Sequence, residues 1–272
     1  CPLRFFALDS NDLPTLLEGY SMKPIFQEEW ELGEGRVRIM LLSPVHFLEG
    51  TARISHYVEN PVFQGETFSL SEVQEYWMEQ RGLTYEALFL GSNFSASDVS
   101  RFAAAFQEVD REECESWFID ECEKRDNLYF SILKLPANAA EDSLFQCELT
   151  LKHELAHALY CQKPPFRQLI HHLWNSLPSI RREQIHDRYA HFYASHRVID
   201  EWAAHILASY EWEQVNDLSD NLFLELKSVY WSSVDRKRLL KTVTALHSSI
   251  LSHCELPNSN VLPEGSDFSE AS

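Results

Sequence analysis

The chain is 272 residues long, 44% apolar by composition, and carries a formal net charge of -19 with seven Trp and 17 Phe. That much apolar and aromatic side chain can offset the entropy of ordering, which excludes an intrinsically disordered protein, and the length suffices for one large domain or two lobes around a cleft. The negative charge excludes a nucleic-acid partner held through its phosphates, because such affinity comes from Lys and Arg that displace counterions. No apolar run reaches the roughly 20 residues that span a bilayer.

The chain opens on Cys1 rather than Met, as a trimmed or processed terminus does, and shows no signal-peptide pattern. A soluble, cytoplasmic protein is expected, with a secreted or host-delivered one as the alternative. The six cysteines, at 1, 114, 122, 147, 161 and 254, include no Cys-x-x-Cys pair, so free thiols are expected.

Arg36 to Leu42, Tyr85 to Leu90 and Leu128 to Leu135 are short, apolar and rich in residues that suit strands. Between them, Ser71 to Glu79 and Ser97 to Phe106 have helical patterns, the second capped by Ser95 or Ser97. The acidic stretch from Glu108 to Arg125 reads as a solvated helix face, since it has no Asp-x-Asp-x-Asp-Gly calcium loop. Cys114 and Cys122 share a face of it without further metal ligands.

From Ser143 onward the strand signal disappears. Ser143 to Cys161 is one helical pattern, ended by Pro164 and Pro165, because proline lacks the amide that a helix interior needs. Phe166 to Ser176, Ser179 to His191, Val198 to Trp212, Leu222 to Trp231 and Asp235 to Cys254 follow as helices. Asp235 caps the last, which makes the basic run Arg236-Lys237-Arg238 its first turn. The expected fold is α+β: a mixed α/β lobe with a small sheet over residues 1–143, a helical lobe over 144–256 and a disordered tail over 257–272.

One run carries chemistry: His153-Glu154-Leu155-Ala156-His157. Histidines four apart project from one face of a helix and can chelate a single ion, while Glu154 beside them can serve as general base to a water on that ion. With 12 His in the chain, about 0.05 such runs are expected by chance. Leu149, Leu151, Leu155, Ala156, Ala158 and Leu159 make the rest of the helix apolar, so the three polar residues would be buried and need partners, which a metal supplies. The adjacent pair His171-His172 diverges on a helix and is a surface feature.

Catalytic zinc takes three protein ligands and keeps one position open. The extended pattern with a third histidine fails, because Tyr160 and Lys163 occupy its glycine and last histidine positions. Glu201, in Val198-Ile199-Asp200-Glu201-Trp202-Ala203-Ala204-His205, is the candidate third ligand, although a carboxylate is also favoured at any helix start by the macrodipole. His191, His196 and His205 are rivals. Asp200 either orients a ligand histidine or caps the helix.

Over Leu128 to Tyr210 the sequence resembles the gluzincin branch of the zincins, in which a downstream helix with small residues, here Ala203, Ala204 and Ala208, contributes a glutamate ligand. The short HELAH form followed by Glu-x-x-Ala is also similar to ImmA/IrrE-type metallopeptidases, with a longer gap between His157 and Glu201. The resemblance implies a zincin-like fold with the motif helix at the junction of the lobes, a peptide or protein substrate, and a substrate-binding sheet edge at 128–135. It also implies an oxyanion donor among Tyr189, Tyr193 and His205. The expectation is a zinc-dependent peptidase with Zn2+ on His153, His157 and Glu201. The alternatives are a metal-dependent hydrolase or lyase of a small non-peptide substrate and a non-catalytic zinc-binding regulatory protein. The oligomeric state is open.

Overall fold

In the computed structural model, residues 22–107, 110–125, 127–208 and 220–254 are described. Cys1, Glu108, the end of the helix expected to reach Trp212 and the tail over 257–272 lie outside them. Strands β1 (Phe26–Leu32) and β2 (Gly35–Leu42) form a hairpin; Gly33 in its turn has φ 64°, a left-handed conformation that glycine adopts without strain. Helices α1 (Pro44–Glu59), α2 (Leu70–Arg81) and α3 (Tyr85–Leu88) lead to β3 (Gly91–Ser95). Helices α4 (Ala96–Ala105) and α5 (Glu113–Glu123) then lead to β4 (Leu128–Lys134). The remainder is helical: α6 (Glu141–Gln162), α7 (Pro164–Ser176), α8 (Ser179–Tyr189), α9 (Val198–Ala208), α10 (Asp220–Ser233) and α11 (Arg236–His253). The fold is α+β around a small mixed sheet. Among the described residues no helix is long and apolar enough to cross a membrane.

The sheet order is β1-β2-β4-β3, with β2 and β4 parallel and the other pairs antiparallel. Alternation along the strands sends Val37, Ile39, Leu41, Tyr129 and Leu133 into a core with α6 to α11. Met40, Leu42, Phe130 and Ile132 enter a second core with α1, α2, α4 and α5. A strand apolar on both faces needs cover on both, so the two halves of the chain are helical layers on opposite sides of one sheet.

Two strand expectations are corrected. Tyr85 to Leu90 is a helical turn followed by the lead into β3: Ala87 and Leu88 donate to the Thr84 carbonyl at 3.1 and 3.2 Å, and the buried Tyr85 hydroxyl meets Thr51 Oγ1 at 3.1 Å. The chain turns there because Tyr85 and Phe89 enter the same core from one face of a turn, which alternation would forbid. The stretch 128–135 is not the sheet edge, since β4 hydrogen-bonds to β2 on one side and β3 on the other; the edge on that side is β3.

The acidic helix α5 is also less solvated than expected. Glu115 is fully buried and accepts Arg53 Nε at 2.9 Å and Nη2 at 2.5 Å, the paired arrangement a buried charge requires. Ser95 caps α4 by accepting from the Asp98 amide, and Asp235 caps α11 by accepting from Lys237 and Arg238. The cysteines of the described residues are free thiols.

The motif helix α6 is fixed at three levels. Near its end, Glu34 of the β1–β2 turn donates to the Gln162 carbonyl at 3.0 Å. At its middle, Ser131 of β4 donates to the Glu154 carbonyl at 3.2 Å, and the Tyr230 hydroxyl of α10 donates to the Lys152 carbonyl at 3.0 Å. Helix α9 packs against α6, and its Ala203 and Ala204 are buried in the same core as Leu155, Ala158 and Leu159 of α6.

Candidate metal centre

His153 and His157 stand one turn apart on α6, as their spacing requires, and their Nε2 atoms converge to 3.0 Å. The Glu201 carboxylate on α9 faces the same point: Oε2 lies 3.6 Å from His153 Nε2 and Oε1 lies 3.4 Å from His157 Nε2. Zinc bonds of 2.0–2.1 Å at tetrahedral angles separate ligand atoms by about 3.3 Å, so the spacing of these three donor groups fits a single ion. Glu201 Oε2 is buried without a hydrogen-bond partner in the protein, a cost that an ion at this position removes.

His205, one turn beyond Glu201, joins the cluster from the exposed side. His153, Glu201 and His205 offer ligand atoms within 4.8 Å of one another, a group that can hold a metal ion. The rings of His153 and His205 are 4.6 Å apart at 70°. Tyr189 lies behind His205, with ring centroids 5.4 Å apart. Of the other sequence rivals, His191 and His196 are both exposed. His196 lies instead at 3.5 Å from Gln64 Nε2. His171 meets the Tyr160 hydroxyl at 2.9 Å.

Electrostatics organise the cluster. Burial pushes the His157 imidazole towards neutrality, but Asp200 and Glu201 overcome it and hold its pKa up at about 10. Burial likewise raises the Glu201 carboxyl, yet His157, His153 and Arg197 hold it down at about 2. Without an ion, a proton on His157 thus balances the carboxylates, and an ion would displace it. Glu154 is raised above the usual carboxylate range by burial, against the lowering effect of His153 and His157. Asp200 is second to the cluster rather than a helix cap alone: its Oδ1 lies 2.9 Å from His157 Nδ1 and its Oδ2 lies 3.1 Å from Arg197 Nη1.

Two cavities adjoin His153 and Glu154. One, of about 260 Å³, has Leu88, Phe89, Leu149 and Ala208 along its flank and Tyr193 and His205 beside the motif. The other, of about 40 Å³, is lined by Glu59, Asn60, Trp77 and Phe192. Of the sequence-derived oxyanion candidates, Tyr193 and His205 therefore border the larger cavity with Glu154.

Sequence reasoning missed four residues around the site: Gly91 and Asn93 on β3, Glu59 at the end of α1, and Arg197 before α9. Asn93 sits in Gly91-Ser92-Asn93, a composition with turn rather than strand character, and nothing in it points to Glu154. Arg197 carried one faint signal, a basic residue three positions before Asp200 at a helix start. No protein-family model, curated protein or solved structure matches the chain, so the chemistry of the centre follows from its own donor atoms.

Proposed function

We propose that the chain is a zinc-dependent peptidase of the zincin type, in the branch with a glutamate ligand, in which His153, His157 and Glu201 hold the ion and Glu154 is the general base. The observation that carries this reading is the convergence of the His153 and His157 Nε2 atoms and the Glu201 carboxylate at 3.0 to 3.6 Å, with Glu154 adjoining on the same helix. The layout supports it further. The antiparallel edge strand β3 ends the sheet beside Glu154, and its first residue, Gly91, borders both cavities, so a peptide in the larger one can hydrogen-bond to backbone there.

When bound, zinc supplies Lewis acidity towards a carbonyl and lowers the pKa of a water. Glu154 accepts the proton of the attacking water and returns it to the leaving amine as the C–N bond breaks. Burial raises its pKa, which favours acceptance of a proton relative to an exposed carboxylate. Tyr193 and His205 are the donors at hand for the carbonyl oxygen as charge develops on it. The flank of Leu88, Phe89 and Leu149 suits an apolar substrate side chain.

His205 is the observation that favours a second reading. Acting as a fourth protein ligand, it would close the shell and make the zinc structural or regulatory, since catalytic sites keep a position open. Incubation of the zinc-loaded protein with a mixture of peptides, followed by mass spectrometry of new termini, tests the proposal. Cleavage that stops on chelation and returns with zinc is expected. A protein that binds one zinc and cuts nothing contradicts it.

A further inference from the structure

Glu154 is buried, and its two carboxylate oxygens meet β3 differently. Oε2 accepts a hydrogen bond from Asn93 Nδ2 at 3.0 Å. Oε1 faces Gly91, where a Cβ would overlap it and come within 2.6 Å of Thr150 Cγ2. Glycine therefore leaves the space through which Glu154 borders both cavities.

Asn93 is held in turn. Its Oδ1 accepts the Tyr129 hydroxyl and Arg197 Nη2, the latter at 3.0 Å. An amide whose oxygen already faces two donors must turn its nitrogen to an acceptor, and Glu154 is that acceptor. Arg197 is itself fixed by ion pairs to Glu59 and to Asp200 Oδ2, while Asp200 Oδ1 faces His157. One buried polar chain thus connects Glu154 with the far side of a motif histidine through Asn93, Arg197 and Asp200.

We infer that Asn93 is the positioning residue for Glu154, and that β3 sets the direction of the general base through Asn93 and Gly91. This rests on the peptidase reading above. An amide N–H holds one carboxylate oxygen without offering a proton that would compete with the transferred one. It also restricts the side-chain rotations that a free Glu would sample, which keeps the other oxygen in a near-attack position. The arrangement gives β3 two parts: Gly91 borders the cavities, and Asn93 supports the base.

Zinc-loaded Asn93→Ala and Asn93→Asp, assayed with a peptide that the wild type cuts, test the inference. Asn93→Asp retains the shape and the acceptor for Tyr129 and Arg197 but replaces the donor with an oxygen. In both, kcat is expected to fall roughly 10- to 100-fold, with zinc stoichiometry unchanged. KM should stay within about threefold, because the Asn93 side chain is buried and taken up by Glu154, Tyr129 and Arg197. Wild-type kcat in either variant overturns the inference. Should both fail to fold, Tyr129→Phe, which removes one of the two donors that orient the amide, is expected to lower kcat about 3- to 10-fold, and an unchanged kcat there overturns it equally.

A second readout needs no zinc and no turnover. In the metal-free protein the Asn93 side-chain 1H–15N resonances, assigned by their loss in Asn93→Asp, are expected to exchange slowly with solvent and to shift in Glu154→Ala. Fast exchange with no shift overturns the inference. A wild type that cuts no peptide, with those resonances protected and shifted as expected, leaves the positioning contact intact and removes the peptidase reading alone.

Discussion

His157 Nδ1 lies 2.9 Å from Asp200 Oδ1. The next residue, Glu201, faces the opposite nitrogen, Nε2, at 3.4 Å. Consecutive carboxylates of α9 thus address both sides of one imidazole. Asp200 favours the proton on Nδ1, which would leave Nε2 to an ion, the division of labour that orients metal-bound histidines.

Asp200→Asn tests that division. It keeps the shape but loses the charge, and it is expected to weaken zinc binding by roughly 10- to 100-fold in competition with a chelator of known affinity. At saturating zinc the turnover should recover most of its wild-type value. Unchanged affinity would mean that Arg197, rather than His157, is the partner that matters to Asp200.

His205→Ala separates a ligand from a cleft residue. With His153, His157 and Glu201 as the protein ligands, the variant retains one zinc per chain while kcat drops by roughly 10- to 100-fold if His205 donates to the developing oxyanion. Loss of zinc from the variant would favour the closed, non-catalytic centre instead.

His56 gives the fold a defined acid sensitivity. Its Nδ1 meets the Ala52 carbonyl at 2.7 Å and its Nε2 accepts from Trp77 Nε1 at 2.6 Å, among the rings of Phe63, Tyr85 and Phe89. Burial holds its pKa down at about 4, against the smaller raising effect of Ala52; the ordinary value is 6.5. As pH falls below 6.5 the unfolded chain takes a proton that the folded one refuses, so stability present above 6.5 is lost progressively down to about 4. At pH 5 the loss from this group is about 2 kcal/mol. Denaturant titrations at pH 7 and pH 5 should show that His56→Gln loses about 2 kcal/mol less than the wild type over this interval. Equal losses would contradict the assignment.

The parts of the fold visible in the sequence are those that periodicity governs. β2, β4 and the helices from α6 onward follow from apolar repeats and from proline and capping residues. The motif pair and Glu201 were legible because helical spacing alone places His153 and His157 on one face, and an alanine-rich helix is what lets Glu201 approach them. The acidic α5 was legible as a helix, but not its buried Glu115, because the partner Arg53 comes from α1. β3 was not legible: Gly91 to Ser95 has no β-branched residue, and its strand exists through pairing with β4. Asn93 and Gly91 escaped for the same reason, since their roles depend on which helix the edge strand meets.

If Glu154 is a general base beside a zinc held by other residues, Glu154→Gln removes the base and leaves the zinc ligands in place. Zinc content and peptide cleavage are measured together on wild type and variant. One zinc per chain in both and cleavage only in the wild type are expected. Equal cleavage by a fully zinc-loaded variant would contradict the role of Glu154 as base.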